Sequence, residues 1–134
     1  MTRAAALLVA LLALPALAQE RVMSVEEFVE LSEGHTLHFQ DRFGDYAGGE
    51  TFFEGQQTIW QYSDGTCTRG EWWAEGDAIC FVYDLNPEPQ CWRMIEDGTR
   101  ILARLRDATD PFGDLILTRR TAVPLTCDGP FLGA

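Results

Sequence analysis

The sequence predicts a mostly β, antiparallel domain: a meander of about eight strands forming a small barrel or strongly twisted sheet, preceded by one short N-terminal helix. Three observations predict it. Turn signals recur roughly every ten residues from Gly48-Gly49 to Asp110-Pro111-Phe112-Gly113. The runs between them are short, and regular short strands with Gly, Asp and Pro turns read as an antiparallel meander. Helical spacing is confined to the stretch before Gly34.

Residues 1–18 carry Arg3, an apolar run from Ala4 to Leu14, then Pro15 and Ala16-Leu17-Ala18 before Gln19. That is the layout of a secretory signal peptide, and Pro15 ends the run short of a membrane span. Residues 19–134 are then a single β domain with its N-terminal helix. Gln19, rather than a cysteine, follows Ala18, which argues against a lipid-anchored start. The expected address is the periplasm or the exterior, with no membrane span.

The helix starts at a capping box, Ser24-Val25-Glu26-Glu27, in which Ser24 and Glu27 satisfy each other's backbone amides. Met23 and Phe28 occupy the two hydrophobic-staple positions. Val25, Phe28, Val29 and Ser32 share a face, and Gly34 is the stop. So short a helix must lean on something, packing on the sheet or across one barrel end.

Strands are expected near residues 35–41, 49–53, 57–63, 67–74, 78–84, 90–96, 99–106 and 114–120. A two-residue turn at Glu75-Gly76 sets Trp72 opposite Ile79, Gly70 opposite Phe81 and Thr68 opposite Tyr83. One at Asp97-Gly98 sets Met94 opposite Ile101 and Trp92 opposite Ala103. A glycine bulge at Asp64-Gly65 sets Trp60 opposite Gly70 and Tyr62 opposite Thr68. The inward face then holds Trp60, Tyr62, Trp72, Phe81, Tyr83, Trp92, Met94, Ile101 and Leu105. Gly70 would lie under the rings of Trp60 and Phe81.

The four cysteines are even in number, and their gaps of 13, 11 and 36 do not suit paired zinc ligands. Cys80 falls across from Cys91 on the outer face. Cys67 is too far along its strand to reach Cys80, so Cys67 pairs with Cys127 by elimination and ties down the tail from Pro124.

The chain has 134 residues and a net charge of -11, and removing residues 1–18 takes away one arginine and no acid, leaving -12. Such a molecule repels nucleic acid. Arg93, Arg100, Arg104 and Arg106 lie on the outer face of two neighbouring strands, where pairing with acids such as Glu71 or Glu96 is expected over an anion site. His35 and His38 point to opposite faces and cannot share a metal. Asp41, Asp45, Glu50 and Glu54 read as solvated turn acids without the ligand order of a calcium loop. There is no G-x-S-x-G elbow, and nothing singles out a carboxylate pair or calls for a cofactor.

The rings remain as the candidate site. Trp60, Tyr62, Phe81, Tyr83 and Trp92 either fill the interior or line a ligand site at a barrel mouth. The expected role is a non-catalytic binding or accessory protein whose partner is another protein or a small apolar ligand. A lipocalin-like carrier and a small hydrolase with an unlocated acidic site are the alternatives.

Trp60-x-Tyr62-x-Asp64-Gly65-x-Cys67-x-x-Gly70-x-Trp72, Ile79-Cys80-Phe81-x-Tyr83 and Cys91-Trp92 resemble the signature of small exported bacterial proteins of a family of unknown function. The resemblance implies a secreted β domain with structural cysteines and brings no catalytic residue. The stretch from Tyr62 to Trp72 also looks like one copy of a membrane-occupation repeat, with no second copy at a fixed period.

Overall fold

The computed structural model describes residue 1 and residues 19–133. The expected export segment therefore lies, Met1 aside, outside the described residues.

The chain enters through a short strand, β1 (Arg21–Val22), and the helix α1 (Val25–Ser32). The capping box forms as read: the Glu27 amide donates to Ser24 Oγ at 3.2 Å and the Ser24 amide to Glu27 Oε2 at 2.7 Å. Arg21 grips both Glu27 and Glu96, which fixes β1 between the helix and the sheet. Eight strands follow: β2 (Thr36–Gln40), β3 (Tyr46–Phe52), β4 (Gln57–Tyr62), β5 (Cys67–Glu75), β6 (Ala78–Tyr83), β7 (Asn86–Asp97), β8 (Arg100–Leu105) and β9 (Leu115–Thr121). Each pairs antiparallel with the next, and β9 returns to β2, closing an up-and-down barrel. β1 pairs with Ile95 and Glu96 of β7, beyond the reach of β6.

Three hairpins differ from the expected register, each by two residues. The observed partners are Trp72 with Phe81, Met94 with Ala103, and Trp60 with Thr68. The turns are Gly76-Asp77 and Gly98-Thr99, with positive φ at the glycine that comes first. A two-residue turn with glycine first asks for positive φ at that position alone, which spares Asp77 and Thr99 the left-handed region. Because the slip is even, the inward and outward faces are unchanged. Gly70 consequently lies between Thr58 and Tyr83, and the ring over its backbone is that of Tyr83, not those of Trp60 and Phe81.

Two turn signals prove to be strand. Gly48 and Gly49 lie within β3, where a side chain on Gly48 would collide with the Trp60 ring. Pro87 and Pro89 lie in the first part of β7, which pairs only with β6 and carries a register shift there, so the missing amides break no ladder to β8.

The barrel core holds Phe28, Leu37, Phe39, Phe52, Ile79, Phe81, Met94 and Ala103. Phe28 plugs one end from α1, edge-on to Phe52 at 5.5 Å and to Trp72 at 5.3 Å. Trp60, Trp72, Tyr83, Trp92 and Ile101 pack against this core half-buried. Leu105, expected inside, is exposed because it ends β8 at the rim.

Both disulfides form as read. Cys80 faces Cys91 across the β6–β7 ladder, and Cys67 joins Cys127 over 60 residues. The tail crosses the outside of the barrel: the Leu125 amide donates to Thr51 Oγ1, Gln61 Nε2 donates to the Thr126 carbonyl, and Pro130 and Leu132 bracket Cys67 with backbone hydrogen bonds.

Candidate functional site

The barrel is closed at one end by α1, which leaves its other end as the opening. The strands bring the ends of β4 and β6 and the starts of β7 and β9 to that end. Trp60, Tyr62, Tyr83 and Trp92 converge there around a cleft of about 240 Å³, completed by Leu85 and Leu115. The polar rim is Asn86, Glu88 and Gln90 from β7. Phe81 sits one layer below, stacked on Tyr83 with centroids 6.0 Å apart. Four of the five ring residues read from the sequence thus share one opening, and the fifth floors it.

Below the cleft is an inner cavity of about 50 Å³, lined by core apolar side chains together with Tyr83, Trp92, Leu115 and Glu50. Tyr83, Trp92 and Leu115 line both spaces. Glu50 is the residue that sequence reading missed. It is only 4% exposed, not a solvated turn acid, and Tyr83 Oη donates to its Oε1 at 2.7 Å. Its placement follows from β3: Gly48, Glu50 and Phe52 alternate onto the inward face. Burial pushes the Glu50 carboxyl up to about 7, against the opposing pull of the Tyr83 hydrogen bond and of the nearby Thr58 hydroxyl. Tyr83 is in turn raised well above the ordinary phenol by burial and by Glu50. Thr58 Oγ1, on the neighbouring strand, is buried without a hydrogen-bond partner.

Among the described residues no second carboxyl lines the inner cavity, so they do not form the two-acid arrangement of sugar hydrolysis there. Larger depressions of about 530 and 440 Å³ lie on the outer surface, but no ring cluster converges on them. The outer arginines are paired, though not with the acids expected. Arg93 meets Asp77, Arg100 meets Asp97, Arg104 holds Asp114 and Glu20, and Arg106 approaches Glu75 at 3.9 Å. His38 lies between the Tyr46 hydroxyl at 3.0 Å and Arg119 at 3.2 Å, while His35 stands near Arg120, so the two imidazoles serve different neighbours. Among the described residues, the one grouping with metal-ligand spacing is Glu75, Cys80 and Cys91, and its two sulfurs are tied up in the disulfide.

The opening is flanked by an apolar rim. Phe43, from the β2–β3 loop, and Phe112, from the β8–β9 loop, are both exposed and pack edge to face at 6.2 Å. The Arg42 guanidinium stands over the two rings at 5.3 and 5.1 Å.

Comparison with protein-family models, with curated proteins and with solved structures gives no match. The class of protein is therefore defined by the architecture alone: a small disulfide-braced β-barrel, plugged at one end and lined with aromatic rings at the other. Among the described residues no helix is long and apolar enough to cross a membrane.

Proposed function

We propose that the chain is a non-catalytic binding protein, periplasmic or secreted, that holds one small ligand in the barrel mouth. The observation that carries this reading is the 240 Å³ cleft between Trp60, Tyr62, Tyr83 and Trp92, set over a buried polar group. Two disulfides support an oxidising compartment. The likeness of the Cys67-x-x-Gly70-x-Trp72, Ile79-Cys80-Phe81-x-Tyr83 and Cys91-Trp92 signature to exported proteins supports the same address. A lipocalin-type carrier encloses its ligand in a large interior cavity, whereas the space among the core side chains here is about 50 Å³, below what a drug-sized ligand needs. The ligand therefore sits in the mouth and sends at most one small substituent inward.

A fragment screen by NMR on the exported, oxidised protein tests the reading. Binding fragments should move the indole N–H signals of Trp60 and Trp92 together. Fragments that bind elsewhere while these two signals stay still would sink it. The exposed Phe43 and Phe112 pair supports a second reading, a protein partner docked on the rim. Under that reading Phe43→Ser with Phe112→Ser abolishes partner capture and leaves fragment binding in the mouth intact.

A further inference from the structure

The lining of the mouth and of the cavity beneath it has a one-sided chemistry. Among the described residues it contains four rings at the opening, Phe81 below them, and two carboxyl side chains, Glu88 at the rim and Glu50 at depth, with no Arg, Lys or His in either lining. Ring faces carry negative electrostatic potential and attract cations over them. A buried carboxyl that keeps one hydrogen bond lacks a counter-charge, which a bound ammonium supplies. Anions meet the opposite condition: the two carboxyls repel them when ionised, and the whole molecule is strongly acidic.

We propose that the barrel mouth binds a small organic ammonium ion with an aromatic or short aliphatic body, the body lying among Trp60, Tyr62 and Trp92 and the ammonium directed toward Glu50. The proposal rests on the mouth being the ligand site. Size fits this division, because the inner cavity of about 50 Å³ takes an ammonium group or a water but not a ring. Tyr83 links the two parts, lining both spaces while its hydroxyl holds Glu50 in place.

Ammonium binding favours the ionised form of Glu50, so affinity should rise with pH through the neutral range. The titratable groups facing Glu50 are Tyr83 on β6 and Tyr62 on β4, both phenols raised above their ordinary value by burial, and Glu88 stands further out on the rim. Neither phenol ionises in that range, so the dependence belongs to Glu50.

The test uses phenethylammonium, 2-phenylethanol and phenylacetate, three probes of one shape and three charges, titrated into the exported, oxidised protein at pH 8 while the indole signals of Trp60 and Trp92 are followed. Phenethylammonium is expected to bind at least tenfold tighter than 2-phenylethanol, and phenylacetate not to bind. Glu50→Gln, which keeps an acceptor for Tyr83, should bring the amine down to the alcohol's affinity. In the unaltered protein the amine's advantage should shrink from pH 8 to pH 5.5, a result that stands even if the variant fails to fold. Equal binding of amine and alcohol, an unchanged preference in Glu50→Gln, or a pH-independent preference would each overturn the proposal while leaving the mouth as the ligand site. If no probe of any charge moves the two indoles, the mouth reading itself fails and takes the proposal with it.

Discussion

At Glu50 a carboxyl has left water for an apolar interior and retains one hydrogen bond, from Tyr83. Folding raises its pKa from the ordinary 4.5 to about 7, so the folded chain binds a proton there that the unfolded chain has released. The sign follows: this contribution to stability is fully present below about 4.5 and is lost as pH rises through about 7. The gap between the two values corresponds to ~3 kcal/mol. Glu50→Gln has no such titration. Urea denaturation of both proteins at pH 5 and pH 8 should show the variant gaining ~2 to 3 kcal/mol relative to the parent over that interval. Parallel behaviour at both pH values would mean that the carboxyl is solvated. The residue was legible in principle. Gly48, Glu50 and Phe52 alternate, and a strand is expected from residue 49, but the turn signal at Gly48-Gly49 left its inward face unassigned and Glu50 grouped with the turn acids. Only the Trp60 ring lying over Gly48 removes the ambiguity, and a contact across two strands has no local trace in sequence.

Among the elements, α1 and the β6–β7 hairpin play opposite parts at the two barrel ends. Phe28 is 2% exposed and touches two further rings, so Phe28→Ala should remove ~3 to 5 kcal/mol, the range for a large side chain deleted from a packed core. Trp92 is half-buried with one side on the mouth, so fewer contacts are lost and Trp92→Ala should cost less than Phe28→Ala. Thermal melts of the two variants decide the point. A Trp92→Ala loss as large as that of Phe28→Ala would show that the ring is core and the mouth shut. The helix, its cap and its staple were readable because they depend on residues three and four apart. The hairpin registers were readable only to within two residues, since Glu75-Gly76-Asp77 and Asp97-Gly98-Thr99 accept either central pair. The even slip kept the faces, which is why four of the five ring residues still met at one opening. β1 was not legible at all: two residues, Arg21 and Val22, pair with β7 through a contact some seventy residues away in sequence.

For the molecule as a whole, the barrel closes mostly through neighbours in sequence, and the long-range ties are β9 to β2, β1 to β7 and the tail. Export, read from Ala16-Leu17-Ala18, should yield a chain that begins at Gln19, and intact mass of the product retaining residues 1–18 would contradict it. The two disulfides then bear unequally on the folded whole. Cys80–Cys91 joins strands already paired and closes 11 residues, while Cys67–Cys127 closes 60 and pins a tail that crosses three strands on the outside of the barrel. In the chain-entropy description the longer loop restrains the unfolded chain more, ~4 against ~3 kcal/mol. Its loss also frees the tail hydrogen bonds at Thr51, Gln61 and Cys67. Replacing both cysteines of each pair by serine separates the contributions. The Cys67→Ser, Cys127→Ser protein should melt lower than the Cys80→Ser, Cys91→Ser protein, and hydrogen exchange should show the backbone amides of Cys67 and Leu132 deprotected in the first variant alone. If the Cys80, Cys91 variant melts lower instead, the short bridge must be holding the β6–β7 register around the mouth. In that event its removal should also weaken binding at Trp92, which the same fragment titration would reveal.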